Sequence, residues 1–289
     1  MATMQEQYGA PTSLEDFDRK AQLMDYVSYR AIFEGFQAHL WTENSGRLLW
    51  MTHPSWPSNT WQIYSSDYDT AAPYYAVKKA CEPIHAQLNL PDYRLAVVNT
   101  TREAQDGLTL RSRVIALDGR VLLERSDRVA AAANAVTTLS ELALVPILER
   151  ERLVVVRLTL EDRHGTIISE HSYWPGRDRP SHQRLNELAP QPVELSAVRG
   201  AGANATIVTV TLENRGSAPV LNAKVTAFDA GGNRVLPVFY SDNYVTLLPH
   251  ETRRLEIHCP AATNRCEKIA LRGWDVAALE TSVRSMETH

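Results

Sequence analysis

Trp50, Trp56 and Trp61 are three of the six tryptophans in this 289-residue chain, and they sit close together with His53 among them. Pro54 and Pro57 flank Trp56, and the run continues into Tyr64, Tyr68, Tyr74 and Tyr75. Indole rings offer flat faces on which the C–H face of a pyranose can lie, and an imidazole nitrogen can exchange a hydrogen bond with a sugar hydroxyl. Proline fixes the backbone and removes a ladder donor, so regular structure must end near Pro54 and Pro57. The apolar run Leu48 to Met51 predicts a short strand that opens into a rigid, aromatic-rich loop. The same tryptophans could instead plug the end of a core, and His53 could be a loop residue satisfied by backbone. Both readings stand for these residues on composition alone.

The elements that would position this loop can be read from periodicity. Ser13 is an N-cap, with Glu15 and Asp16 in the first turn. Phe17, Ala21, Met24, Val27, Ala31, Phe36 and Leu40 recur at helical spacing, and Asn44 to Gly46 stop the run. Leu23, Ile32 and Phe33 add further stripes, so the helix is expected to pack between neighbours. A short helix near Pro73 to Cys81 ends at Pro83. Helix, strand, loop, helix makes one and a half βα units, and a closed barrel needs eight.

Beyond Pro83 the period becomes two. Leu108 and Leu110, then Val154, Val156, Leu158 and Leu160, alternate with polar residues, with turns at Asp118-Gly119 and His164-Gly165. A Pro-, Gly- and charge-rich loop spans Trp174 to Pro180, and Pro190 and Pro192 mark a boundary. Val208, Val210 and Leu212, then Leu221, Ala223, Val225 and Ala227, alternate beyond it, followed by a turn at Gly231-Gly232. Two blocks of short alternating strands predict two immunoglobulin-like β-sandwiches.

The balance of 30 basic against 34 acidic residues argues against nucleic acid or an anionic membrane as partner. No apolar run approaches the roughly 20 residues of a membrane span, and the start carries no signal-peptide core. The three cysteines give no disulfide framework. Cys259 and Cys266 could pair across a loop but read as two free thiols. The histidines show no HxH or HExxH spacing, so no metal and no cofactor is expected. There is no nucleophile elbow and no glycine-rich phosphate loop. Asn99-Thr-Thr and Asn204-Ala-Thr are sequons for N-glycosylation.

The stretch from Gly46 to Gln87 resembles the last barrel strand and following helix of glycoside hydrolase family 2, in the branch of the β-mannosidases and exo-β-glucosaminidases. Trp50, Trp56-Pro57, Trp61, Tyr64, Tyr74-Tyr75 and Lys78-Lys79-Ala80-Cys81-Glu82-Pro83 carry the likeness. Many members have Asn-Asp or Asn-Asn where His53-Pro54 stand here. Phe239-Tyr240-Ser241-Asp242-Asn243-Tyr244, Leu247-Leu248-Pro249-His250-Glu251 and Gly273-Trp274-Asp275 resemble the family's terminal sandwich, with His250 in a glycine place.

The resemblance implies a mostly β chain with three parts. Residues 1–83 would be the C-terminal end of a (β/α)8 catalytic barrel, 84–190 an immunoglobulin-like sandwich, and 191–289 a second one. It also implies a retaining exo-β-glycosidase in which Trp50, His53, Trp56 and Trp61 help bind the sugar at the barrel mouth, Trp61 in the more structural role. Such enzymes use two carboxylates about 5–5.5 Å apart, and the resemblance puts both on barrel strands earlier than the one holding Trp50. Glu6 precedes a loop, Glu15 and Asp16 open a helix, and Asp67, Asp69 and Glu82 read as surface or helix-end residues. No catalytic residue is therefore assigned here.

Two function classes follow. In one, the chain is the C-terminal part of a retaining exo-β-glycosidase, with a β-linked oligosaccharide or glycoside as substrate and the missing N-terminal part as partner. In the other, it is an autonomous, non-catalytic glycan-binding or scaffolding β-sandwich protein. The sequence leaves the sugar and the cellular address open, although a periplasmic or secreted parent fits it.

Overall fold

In the computed structural model, which describes residues 2–58, 61–200, 206–259 and 265–285, the chain divides into two units. One comprises Met1–Trp50 and Ala76–Glu187, the other Met51–Tyr75 and Leu188–His289. Helices α1 (Ala2–Tyr8) and α2 (Leu14–Gln37) belong to the first unit, and α3 (Ala72–Ala80) opens in the second and ends in the first.

Ser13 caps α2 as expected, its hydroxyl accepting from the Asp16 amide at 3.1 Å. The face of α2 that packs inward differs from the expected stripe. Lys20, Leu23, Tyr26, Arg30, Phe33 and Glu34 are buried, whereas Ala31, Ile32 and Phe36 are exposed. With Asp16, four charged side chains of α2 are buried, because each has a partner there or a stem to bury. The seven-residue α1 has no strong sequence signal. It is held by tertiary contacts: the Asn186 amide donates to the Tyr8 carbonyl at 2.9 Å and that of Gln183 to the Glu6 carbonyl at 2.8 Å.

The first unit then builds a sandwich. Strands β1 (Ile84–Leu88), β2 (Arg94–Asn99), β3 (Gln105–Ala116), β4 (Val121–Ala131) and β5 (Ala135–Glu141) precede the short helix α4 (Val145–Glu151), and β6 (Val154–Glu161) and β7 (Ile167–Tyr173) follow it. The sheets run β1-β2-β5 and β4-β3-β6-β7, antiparallel throughout. Their shared core includes Leu88, Leu95, Val97, Leu110, Val156 and Leu158. Gly119 and Gly165, at φ of +90° and +80°, turn the β3–β4 and β6–β7 hairpins where the dipeptides predicted them. After β7 comes a 3-10 segment, Arg179–Glu187.

The second unit contains β8 (Val193–Arg199), β9 (Ile207–Asn214), β10 (Val220–Phe228), β11 (Phe239–Tyr240), β12 (Val245–Leu247), β13 (Thr252–His258), β14 (Lys268–Arg272), β15 (Leu279–Ser282) and β16 (Arg284–Ser285). Its sheets are β12-β10-β14-β15 and β11-β13-β9-β8-β16. Burial alternates along β9, with Val208, Val210 and Leu212 inside. The residues of the terminal motifs are structural. Asn243 hydrogen-bonds both backbone groups of Val225, the Asp275 carboxylate accepts from the Leu221 amide at 2.9 Å, and Tyr240 accepts from the Ala227 amide. His250 stands at φ +62°, a conformation glycine adopts at no steric cost.

Two expectations need correction, and one of the two sequons is closed. Leu48 to Met51 forms no strand, because among the described residues no strand pairs with it and an unpaired strand leaves its backbone groups unsatisfied. Cys259 and Cys266 form a disulfide, since β13 and β14 bring their Cα atoms to 6.1 Å, within bridging range. Asn99 is fully buried, and its amide donates to the carbonyls of Glu103, Ala131 and Ala132, so it is no glycan acceptor. The other sequon residue, Asn204, lies outside the described residues, as do Asn59 and Thr60 within the aromatic loop.

Candidate functional site

Trp50 closes the N-terminal segment of the first unit, with 81% of its surface open to solvent. Behind it, the Arg47 guanidinium lies 4.9 Å and 4.7 Å from the ring centres of Phe33 and Phe36 and donates to the Ile32 carbonyl at 3.0 Å. The approach to Trp50 is thus fastened along the C-terminal half of α2, while Phe36, Trp41 and Leu48 stay exposed, Leu48 at 97%. Large apolar groups left open in this way are surface that a partner normally covers.

His53, Trp56 and Trp61 lie on the first segment of the second unit. Trp56 is 70% and Trp61 55% exposed, so in this chain neither plugs a core. The His53 ring stacks on Tyr68, centres 4.3 Å apart at 15°, and its Nε2 is buried without a hydrogen-bond partner.

The segment is pinned at its base. The Thr52 carbonyl accepts from the amides of Ile63 and Tyr64 at 3.2 Å and 3.1 Å. Asp67 and Asp69 pair with Arg234 at 2.7 Å and 2.9 Å, and Lys224 approaches Asp69 at 3.7 Å. The Ser65 hydroxyl, opposed by partial burial and helped by Arg234, holds the Asp67 carboxyl below its usual pKa. Tyr64, Tyr74, Tyr75 and Tyr244 form a chain of ring contacts, and Tyr75 bonds Thr70 at 2.6 Å. Asp67 and Asp69 share one guanidinium, and in that pairing they act as anchors of the segment.

A second constellation lies inside the first unit. Glu34, on α2, accepts from the Tyr173 hydroxyl at 2.8 Å and meets His85 Nε2 at 3.1 Å, while Arg30 lies 4.0 Å away. Arg30 stacks 4.0 Å over the Tyr173 ring and donates to the Ser172 carbonyl. Glu82, just past α3, lies 2.9 Å from His171 Nε2 and 3.7 Å from His85 Nδ1. His85 and His171 are buried, and the Nδ1 of each has no hydrogen-bond partner.

Burial pushes both carboxyls up, but the histidine hydrogen bonds and nearby cations outweigh it and hold Glu34 and Glu82 below the usual range. For His85, burial is outweighed by the two carboxylates, which raise it. Burial and the charge on His85 together push His171 down to about 4. Glu82, His85 and His171 bring one donor atom each within 4.8 Å of one another, a grouping that could hold a metal ion. Sequence spacing missed it because His171 stands 89 positions from Glu82. The only local hint was Glu82-x-x-His85. The helix-end reading of Glu82 was right about its place and missed its partners.

A cavity of about 480 Å³ also opens in this unit, lined by Ala31, Gly35, His39, Leu88, Asp92 and Arg94 among others. None of the four sugar-binding candidates lines it. No described helix is long and apolar enough to cross a membrane.

Residues 92–177 match the mannosidase Ig/CBM-like domain, and residues 171–276 match the exo-β-D-glucosaminidase Ig-fold domain. An exo-β-D-glucosaminidase of Hypocrea jecorina is 31% identical over 277 residues, covering 87% of this chain and 31% of the relative. A mannosylglycoprotein endo-β-mannosidase of Lilium longiflorum is 29% identical, covering 96% of this chain and 35% of the relative. The crystal structure of the Amycolatopsis orientalis exo-chitosanase CsxA superposes with a TM-score of 0.89 at 28% identity, over 98% of this chain and 36% of that one. The chain spans about a third of the length of the curated relatives it matches. The paired sandwiches and the few helices are those of this group of hydrolases.

Proposed function

Because the chain is homologous to the C-terminal region of the exo-β-glucosaminidases and mannosidases of glycoside hydrolase family 2, we propose that it is the C-terminal part of a retaining exo-β-glycosidase. Residues 1–83 are the end of its (β/α)8 barrel, and 84–190 and 191–289 are its two sandwich domains. The catalytic glutamates lie outside this chain. Trp50, His53 and Trp56 are the residues of this chain that help bind the terminal sugar, with Trp61 in the more structural role. The substrate is a β-linked glucosaminide before a mannoside, a reading supported by the exo-acting glucosaminidase and chitosanase among its relatives, at 31% and 28% identity, where the mannosidase at 29% is an endo enzyme.

The observation that carries the proposal is the open aromatic and aliphatic surface of the N-terminal part. Phe36, Trp41, Leu48 and Trp50 would be a liability on a stand-alone protein, and in a barrel they are covered by the preceding βα units or face its mouth. The test is hydrolysis of aryl β-D-glucosaminide and β-D-mannoside by the purified chain and by the product of the reading frame extended upstream. The extended product should turn over the glucosaminide with retention, and the chain alone should not. Turnover by the chain alone, lost when one of its own Glu or Asp residues is changed, would overturn the proposal.

A further inference from the structure

The buried triad of the first unit has a geometry that the proposed glycosidase role leaves unused. From it we propose a metal site: Glu82, His85 and His171 bind one first-row transition-metal dication of the zinc type, through a Glu82 carboxylate oxygen, His85 Nδ1 and His171 Nε2.

The donor atoms are already gathered. Glu82 Oε2 lies 2.9 Å from His171 Nε2 and 3.7 Å from His85 Nδ1, and all three donors fall within 4.8 Å. Ligands about 2.0–2.2 Å from a tetrahedral zinc stand roughly 3.3–3.5 Å apart, so adjustments of an ångström or so would seat the ion.

The His85 ring is fully buried and is already held in the orientation a ligand needs. Its Nε2 faces the Glu34 carboxylate at 3.1 Å, while Nδ1 has no hydrogen-bond partner and points toward Glu82. A carboxylate behind the distal nitrogen fixes the tautomer of a metal-bound imidazole. Glu34 is thus a positioning residue, and the orphaned Nδ1 is the atom a cation would satisfy.

Two nitrogens and one carboxylate oxygen suit zinc, cobalt or nickel rather than magnesium or calcium, which prefer all-oxygen shells. The Glu82 side chain keeps a fifth of its surface open, which gives the ion an entrance and leaves room for water as fourth ligand. Lys79, 3.4 Å from the other Glu82 oxygen and partly exposed, is the cation that must swing aside. Bound there, the ion would tie the chain leaving α3 to both β1 and β7, closing the base of the first sandwich.

The experiment uses the purified chain, stripped with a chelator and dialysed, with zinc alone as titrant in calorimetry and cobalt alone in visible absorption. The expected result is one saturable equivalent of zinc and tetrahedral-type cobalt bands. At a hundredfold excess over Kd, zinc should raise the Tm of the first unit by about 5 °C or more. His171→Ala and Glu82→Gln should each weaken zinc binding at least about 100-fold, with the fold of the metal-free variants checked by circular dichroism. If His171→Ala does not fold, Glu82→Gln, at the solvent-facing ligand, decides. Glu34→Gln should weaken zinc about 10–100-fold and shift the cobalt bands. Absence of saturable zinc binding overturns the proposal, and so does stoichiometric binding that survives Glu82→Gln unchanged, since the ion would then sit elsewhere.

Discussion

Replacing Glu34 with alanine should unfold the first unit far more easily than its position on a helix facing a sandwich suggests. The carboxylate is buried and serves three groups: the Tyr173 hydroxyl at 2.8 Å, His85 Nε2 at 3.1 Å and the Arg30 guanidinium at 4.0 Å. Its removal leaves the buried Arg30 without its counter-charge, His85 Nε2 without its partner, and Tyr173 with a donor and no acceptor. Removing one partner of a buried pair costs about 3–5 kcal/mol. In a unit of this size each kcal/mol moves Tm by roughly 2–4 °C, so a drop of about 6–20 °C is expected. Glu34→Gln keeps an acceptor and should cost less, about 1.5–3 kcal/mol. The double change Arg30→Met with Glu34→Leu removes both charges and should cost less than Glu34→Ala alone. Urea unfolding read by amide exchange in β1 and β7 reports on this unit specifically. A loss below about 1 kcal/mol for Glu34→Ala would mean that water already serves the network and that the account of how α2 is held is wrong.

Other consequences follow from single contacts. Burial pushes the Asp16 carboxyl up, but Lys20, the Thr12 amide and Arg19 outweigh it and leave it well below the usual carboxylate range. A depressed carboxylate contributes stability above its unfolded value near 3.9, lost as pH falls. The stability gap between wild type and Asp16→Asn should therefore be full at neutral pH and close below about pH 4 in pH-dependent melting. Cys259 and Cys266 lie seven positions apart, so their bridge closes a small loop. Changing both to serine should cost about 2–3 kcal/mol of second-unit stability by loop entropy, and non-reducing peptide mapping should find the pair linked. Asn99→Ala strips three carbonyls, one of them buried, of their donor and should cost about 1–3 kcal/mol in denaturant unfolding, with no change in glycan content.

The strands were legible because period-two alternation is a direct record of two-faced burial. Val208, Val210 and Leu212 are inside where the pattern put them, and Gly119 and Gly165 turn where their dipeptides said. The cap of α2 was legible for a similarly local reason, one hydroxyl three residues from its amide. The inward face of α2 was not, because Lys20, Arg30 and Glu34 are apolar enough in their stems, or well enough paired, to be buried, and sequence patterns assign charges to solvent. The Glu82–His85–His171 grouping was invisible because the sheet, not the linear spacing, brings β1 and β7 together. The strand expected at Leu48 failed because a strand is a property of a pair, and pairing cannot be read from one member. The tryptophans remain the features whose types were informative and whose roles need a ligand to define.

The proposal under test is that the exposed tryptophans help bind sugar in a larger exo-β-glycosidase. Its most direct test is the kcat/KM of the upstream-extended protein for an aryl β-D-glucosaminide, with and without Trp50→Ala. Trp50 is 81% exposed, so the substitution should change the stability of this chain by only about 0.5 kcal/mol, against roughly 3–5 kcal/mol for a core plug. The account predicts a loss in kcat/KM of more than about tenfold, on the order of 1.4 kcal/mol, with Tm almost unchanged. Unchanged kinetics with a large fall in Tm would contradict it and make Trp50 a packing residue.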